Sequence, residues 1–194
     1  IMVATYSLFY IMTAFAQAYS RTPATLSEAG YPMGLGIPAN TFTGLLLMSA
    51  IVFAIFISIS GLYADKIGRR KWLIWTTVSI LIFALCMPLF LGNGTPASVF
   101  AFLVIGMALM GMTFGPMAAL LPELFPTEVR YSGASLAYNI ASIIGATIAA
   151  MISLKINALY GLMGVGIYLA INAFLTLLAL LASKETKNVD LTQI

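Results

Sequence analysis

The chain has 194 residues, of which 61% are apolar and only 8% are charged, and its mean hydropathy is +1.03. Soluble domains carry about a quarter charged residues and cannot bury this much apolar surface in one core, so the composition excludes a soluble globular protein. The net charge of +3 comes from short basic clusters between apolar runs rather than from a basic patch, so we expect the lipid bilayer as a partner and no nucleic acid.

Six apolar runs follow one another along the chain, and each is long enough to cross a bilayer as a helix. None shows the alternating pattern of a membrane β-strand, and segments rich in Pro, Gly or charge separate them. The chain opens within an apolar run and lacks the features of a signal peptide, so we expect more helices upstream in a longer protein. The predicted fold is all-α, with membrane spans at about 1–19, 41–62, 72–91, 97–121, 131–154 and 162–182 and a polar tail at 183–194.

The basic residues are distributed unevenly between the two ends of the predicted spans. Since cytoplasmic loops of membrane proteins are enriched in Lys and Arg, the richer side predicts the cytoplasm for loops 63–71 and 122–130 and for the tail. The poorer side carries Arg21 and Lys155, whereas the richer side carries Lys66, Arg69, Arg70, Lys71, Arg130, Lys184 and Lys187.

The residue types that most enzymes and metal sites need are scarce. The chain has one cysteine, Cys86, and no histidine, so we expect no metal site and no cofactor. No Asp, Glu, Lys or Arg lies near the centre of a predicted span, so we expect no catalytic residues and exclude an intramembrane enzyme. If the protein couples transport to protons, the coupling carboxylate would have to lie in the upstream part of the protein.

The segment 61–71, after the second run, reads Gly-Leu-Tyr-Ala-Asp-Lys-Ile-Gly-Arg-Arg-Lys. Gly61 permits close helix approach, Gly68 permits a tight turn, and Asp65 can pair with Arg69 or lie at the N-terminus of a neighbouring helix. A signal for orientation alone needs only Lys and Arg, so the glycines and the Asp indicate a further role. The pattern resembles the cytoplasmic loop signature of the major facilitator superfamily over all eleven positions.

The second charged loop narrows the resemblance. Segment 122–133 reads Pro-Glu-Leu-Phe-Pro-Thr-Glu-Val-Arg-Tyr-Ser-Gly and resembles the loop between the tenth and eleventh helices of sugar porters and of metabolite:proton symporters. Its continuation to residue 135 is similar to the symporter branch. That branch includes carriers of citrate, shikimate, proline, betaine and dicarboxylates such as alpha-ketoglutarate. The tail segment 184–187 is similar to a motif after the last helix in both groups. The resemblance implies the C-terminal half of a twelve-helix carrier, with an N-terminal six-helix half as partner.

The resemblance also implies a cytoplasmic charge network. Glu123 and Glu185 would pair with Arg69 or Arg70, and Arg130 would add a further cation. Solvated pairs of this kind contribute about 1 kcal/mol or less each, so their implied use is to hold the cytoplasmic helix ends together in one conformation and release them in another. Static surface pairing is the alternative interpretation.

Two polar stripes are candidates for a substrate cavity, because they place phenol, hydroxyl and amide groups at helical spacing within apolar runs. Ordinary helix packing is the alternative interpretation for both stripes. The first stripe comprises Tyr6, Tyr10, Thr13 and Gln17, on the helix that the resemblance makes the cavity-lining seventh, and the second comprises Ser135, Asn139 and Ser142.

Other polar and small residues in the spans indicate packing. Gly111 and Gly115 permit close helix approach, and Pro116 permits a kink in the same run. Asn172 and Thr176 in the last run are interpreted as packing against the bundle.

We therefore expect a secondary active transporter of a small polar metabolite, an organic acid or a zwitterionic osmolyte, with alternating access and, by family resemblance, proton coupling. The resemblance places it in the plasma membrane, specifically a bacterial inner membrane. A sugar-porter-like uniporter and a membrane scaffold or receptor without transport are the alternatives.

Overall fold

Helices make up most of the chain. A computed structural model describes residues 2–143, 145 and 149–183, without the side chain of residue 150. Within these ranges the strand-like pairing is limited to one isolated bridge between Leu26 and Pro32. The α-helices are α1 Val3–Tyr10, α2 Ala16–Arg21, α3 Ala39–Ile67, α4 Arg69–Leu85, α5 Met87–Leu91, α6 Pro96–Glu123, α7 Arg130–Ser142 and α8 Ala149–Ala182.

The first helical run is continuous but not uniform. A π-helical turn, Ile11–Phe15, joins α1 to α2, and Tyr10 and Ala16 on either side keep right-handed helical backbone angles. Leu8 and three residues of the π turn, Ile11, Met12 and Phe15, are fully buried, and the run contacts α6 and α8. The first run therefore lies at the centre of the apolar core.

Helices α3 and α6 form the most extensive pairing in the bundle. Two glycines of α6 lie against the α3 backbone: a Cβ on Gly111 would lie 2.7 Å from the carbonyl oxygen of Phe53, and one on Gly115 would lie 2.6 Å from that of Ile57. Ser60 crosses this interface and donates a hydrogen bond to the Gly111 carbonyl at 3.0 Å. The small residues thus let the two helix backbones approach closely, as the sequence predicts.

Among the residues that the structure describes, three helical segments are long and apolar enough to cross a bilayer: Ala39–Ile67, Pro96–Glu123 and Met151–Ala182. The last of these contains a sharp break at Gly161, where φ is +67° and ψ is −171°. The sequence places a turn at 155–161, whereas the structure continues the helix through Tyr160 and turns at Gly161 alone. Only glycine adopts this backbone angle at little cost, and a Cβ there would also lie 2.6 Å from the Tyr31 ring.

Candidate functional site

The turn between α3 and α4 brings the acidic and basic residues of the first charged loop together. Gly68 joins the two helices with φ of 113° and ψ of 129°, a backbone conformation that favours glycine. Its amide donates to the Ala64 carbonyl at 2.9 Å, and its carbonyl accepts from the Trp72 amide at 3.0 Å. Because the turn uses a single residue, Asp65 at the end of α3 lies beside Arg69 at the start of α4.

Arg69 connects the ends of three helices. Its Nε donates to Oδ1 of Asp65 on α3 at 3.0 Å, and its Nη1 donates to Oε1 of Glu123 at the end of α6. The Asp65 side chain is 63% exposed, whereas the side chains of Arg69 and Glu123 are 21% and 13% exposed. We name these three residues the charge cluster.

The guanidinium of Arg69 remains charged in this environment. Its hydrogen bond to Glu123 raises the pKa of Arg69, burial partly opposes the rise, and the hydrogen bond to Asp65 adds to it. A cation with a raised pKa contributes its stabilisation at all pH values below its ordinary pKa and loses it only as the pH rises through the shifted value. The Arg69 guanidinium therefore stays charged throughout the physiological pH range.

The remaining members of the predicted network have different surroundings. Arg70, which the resemblance offers together with Arg69 as a partner for Glu123 or Glu185, donates to the carbonyl oxygens of Leu180 and Leu181 at 2.8 Å each, near the C-terminal end of α8. A cation at this helix end interacts favourably with the helix dipole.

Arg130 donates to the Phe125 carbonyl at 3.3 Å, within its own loop. The prediction for Glu185 lies outside the described residues, as do those for Lys184 and Lys187 in the tail. Four helices, α3, α4, α6 and α8, thus meet around the two arginines of the first charged loop.

The first polar stripe lies on the more exposed side of an otherwise buried helical run. Tyr6, Tyr10, Thr13 and Gln17 are each partly exposed, whereas most of the remaining residues of the run are buried. The Thr13 hydroxyl donates to the Phe9 carbonyl at 2.8 Å. Thr13 lies inside the π turn, which alters the α-helical spacing that the sequence prediction assumed, and π turns are frequent at functional sites.

The second polar stripe lies on α7, which is mostly exposed. Ser135 and Asn139 are exposed, Ser142 is partly buried, and the Asn139 amide donates to the Ser135 carbonyl at 2.8 Å. Asn139 therefore satisfies part of its own hydrogen-bonding capacity locally, where the sequence predicts contact with protein or with a wet cavity.

A groove of about 560 Å³ lies beside the first turns of α7. It combines the guanidinium of Arg130 with the hydroxyl groups of Thr127 and Ser135 and the phenol of Tyr138. Tyr6 and Tyr138 pack against the same apolar cluster, so the first polar stripe and α7 approach each other there. The arrangement can hydrogen-bond a small polar molecule.

The family comparison agrees with this geometry. The model of the family described as "Sugar (and other) transporter" matches residues 33–194. The chain belongs to this transporter family. The match confirms the resemblance to the major facilitator superfamily, and with it the assignment to a transport protein embedded in a membrane.

The relatives of this transporter include bacterial carriers. The chain is 86% identical over its full length to a Haemophilus influenzae protein that is named, by inference, as a metabolite transport protein. The chain covers 44% of that protein. It is 52% identical over 98% of its length to the "Inner membrane metabolite transport protein YhjE" of Escherichia coli, covering 42%. It is 32% identical over 75% of its length to the "Proline/betaine transporter" of Salmonella typhimurium, covering 29%. The chain thus spans less than half the length of these curated relatives, and no solved structure matches it.

Two polar contacts of α6 have no counterpart among the expectations from the sequence. The indole of Trp72 donates to the Met112 carbonyl at 2.9 Å, and Ser60 reaches the adjacent carbonyl of Gly111. Pro116 is the signal that could have indicated such contacts, because a proline in a helix leaves the carbonyl four residues earlier without its amide partner. The sequence does not show which side chain supplies the replacement donor.

Proposed function

We propose that this chain is the C-terminal half of a secondary active transporter that moves a small polar metabolite across a bacterial inner membrane. An N-terminal half of six further helices would be its partner, and the two halves would rock about a site near the middle of the bilayer. The charge cluster and the tail would face the cytoplasm, on the side with seven of the nine basic residues.

The charge cluster is the observation that carries this proposal. Arg69 joins the ends of α3, α4 and α6 through two ion pairs, and one of its partners, Asp65, is largely exposed. The Arg69–Asp65 pair is exposed on its carboxylate side and breaks at a cost of about 1 kcal/mol or less, which is small enough for a conformational cycle. A static bundle would gain little from this exposed pair.

The chemistry of the polar stripes supports a polar substrate. The stripes contain hydrogen-bonding groups and no charged residue, so this half need not bind the substrate through an ion pair. Phenols, amides and hydroxyls of α1, α7 and the π turn can hydrogen-bond a carboxylate or a zwitterion. Relatives named for proline and betaine transport make zwitterionic osmolytes the first compounds to test, followed by organic acids. Proton coupling is part of the proposal through the symporter resemblance, with the coupling carboxylate in the upstream half.

Uptake into membrane vesicles tests the proposal. Vesicles containing the full-length protein should accumulate labelled proline, glycine betaine or an organic acid, and a protonophore should abolish the accumulation. Asp65→Asn should reduce the rate of uptake while leaving expression intact, because it removes a partner of the charge cluster. Normal uptake by this variant would contradict the role given to the cluster.

Two other outcomes correspond to the alternatives. Equilibration of a sugar without accumulation, unaffected by the protonophore, would indicate a sugar-porter-like uniporter. If none of these compounds enters the vesicles and none changes the accessibility of the helices, the transporter proposal fails in favour of a scaffold or receptor.

A further inference from the structure

Pro116 leaves a defect in the hydrogen bonding of α6. The helix runs without interruption from Pro96 to Glu123 and contains this proline about three-quarters of the way along. A proline has no amide hydrogen, so the carbonyl of Met112, four residues earlier, cannot accept the usual helical bond. In a bilayer an unsatisfied carbonyl is costly, and a proline is tolerated where neighbouring groups supply the missing donor.

Side chains from three helices supply donors at this point. The Trp72 indole of α4 donates to the Met112 carbonyl at 2.9 Å, and the Ser60 hydroxyl of α3 donates to the Gly111 carbonyl at 3.0 Å. The Thr113 hydroxyl of α6 itself donates to the Met110 carbonyl at 2.8 Å. Three consecutive carbonyls before the proline therefore accept side-chain hydrogen bonds.

Trp72 lies within one helical turn of Arg69. The first turn of α4 thus contacts α6 twice, through Trp72 at the Met112 carbonyl and through Arg69 at Glu123. The Trp72 ring also stacks on Tyr63 of α3, with centroids 5.9 Å apart and planes inclined by 19°. The segment of α6 from Pro116 to Glu123 is therefore held at both ends by a single turn of α4.

We propose that Trp72 is a positioning residue that holds the proline hinge of α6 by donating to the Met112 carbonyl. The hydrogen bond from Trp72 to the carbonyl that Pro116 leaves without an amide partner is a contact within this chain. The use of this hinge in transport rests on the proposed function. When the ion pair between Arg69 and Glu123 breaks, the segment of α6 after Pro116 changes its direction, while Trp72 holds the Met112 carbonyl before the proline in place.

Hydrogen–deuterium exchange of the full-length protein in lipid nanodiscs tests the hinge without a substrate. Trp72→Phe keeps an aromatic ring and removes the indole donor, so exchange of peptides covering 112–124 should become about threefold to tenfold faster, the equivalent of one hydrogen bond. Trp75→Phe is the matched control, because Trp75 lies on the same helix and is 74% exposed, and it should leave these peptides unchanged.

A second background separates the specific bond from general packing. Pro116→Ala restores an amide that can donate to the Met112 carbonyl, so adding Trp72→Phe to it should change exchange by less than about twofold. Equal acceleration in both backgrounds, or no acceleration by Trp72→Phe, would overturn the proposal. If Trp72→Phe alone fails to fold, the double variant should fold, and its failure would also overturn the proposal.

Uptake measurements address the second part of the proposal. If the protein transports a substrate, Trp72→Phe should lower the maximal rate of uptake and leave the substrate concentration at half-maximal rate unchanged. In the Pro116→Ala background, Trp72→Phe should no longer lower the maximal rate. A changed half-maximal concentration with an unchanged maximal rate would overturn the positioning role. Because the exchange experiment requires no substrate, failure of the hinge and failure of the transporter assignment are distinguishable.

Discussion

The carboxylate of Glu123 is held on one side only. Its Oε1 accepts from Arg69, whereas Oε2 is buried and has no hydrogen-bond partner within the described part of the chain. A buried carboxylate oxygen without a donor is costly, so the ion pair with Arg69 offsets a penalty as well as contributing an attraction. Asp65 differs because its side chain is largely exposed and remains hydrated.

This difference predicts unequal effects of two neutralising substitutions. Glu123→Gln keeps the shape and removes the charge, and we expect it to lower the free energy of unfolding by about 1–2 kcal/mol, since a charge-assisted hydrogen bond is lost. Asp65→Asn, its control within the same cluster, should change the free energy by no more than about 0.5 kcal/mol. Thermal unfolding in detergent measures both, and an equal loss in the two variants would contradict the assignment.

The sequence was sufficient for part of this cluster. The family resemblance indicated Glu123 and Glu185 as partners of Arg69 or Arg70 without choosing between the two arginines, and the sequence indicated Gly68 as the turn beside them. It could not predict that Arg70 would reach backbone carbonyls at the end of α8, because that contact depends on where α8 ends relative to α4. The acceptor is a backbone group, and backbone groups carry no sequence signal.

At the scale of helices, the pairing of α3 with α6 depends on one side of each helix. Gly115 faces α3 closely: an added Cβ would lie 2.6 Å from the Ile57 carbonyl oxygen and 3.0 Å from the Gly61 nitrogen. A Cβ on Gly61 itself would meet nothing within 4 Å. The expectation that Gly61 permits close approach stays a prediction, and the missing side chain that matters at this contact is that of Gly115.

Alanine substitutions at the two glycines should consequently change the stability of the protein in different directions. Gly115→Ala should destabilise the protein by about 1–3 kcal/mol, because the helices must separate to admit the methyl group. Gly61→Ala should be neutral or stabilising by up to about 1 kcal/mol, because alanine is the better helix former and its methyl group is accommodated. Thermal unfolding of both variants in one detergent provides the comparison, and similar destabilisation at Gly61 would show that the packing faces are wrongly assigned.

The π turn shows the limit of sequence periodicity at this scale. Residues 11–15 read Ile-Met-Thr-Ala-Phe, which is compatible with an ordinary α-helix. Met12 and Phe15 of this turn are fully buried among neighbouring helices, and such packing is invisible in a single sequence. The sequence thus predicts that Tyr6, Tyr10 and Gln17 recur at helical spacing, but it does not give their angular positions around the helix axis.

At the scale of the molecule, the arrangement of charged residues predicts how the chain lies in the membrane. The charge cluster and Arg70 gather at one end of the bundle, where α3, α6 and α8 end and α4 begins. The segment between α2 and α3 lies at the opposite end of α3. With the basic side in the cytoplasm, that segment would face the other side of the membrane.

Labelling of single cysteines tests this orientation. In a Cys86→Ser background, a membrane-impermeant maleimide should label Lys71→Cys only in inverted vesicles and Glu28→Cys only in right-side-out vesicles. Both positions are exposed in the structure, so differences in burial do not confound the result. Labelling of both variants from the same side would contradict the predicted orientation.

The lengths of α3 and α6 have a consequence for the surrounding lipid. With 29 and 28 residues, the paired helices extend over about 43 Å and 42 Å, whereas the hydrocarbon layer is about 30 Å thick. The surplus must be absorbed by tilt or by protrusion into the headgroup layer, and the charged ends of both helices favour protrusion. Asp65, Arg69 and Glu123 then lie among lipid phosphates, which compete with the carboxylates for the guanidinium. Membrane thickness and the anionic lipid content would therefore act directly on the conformational equilibrium.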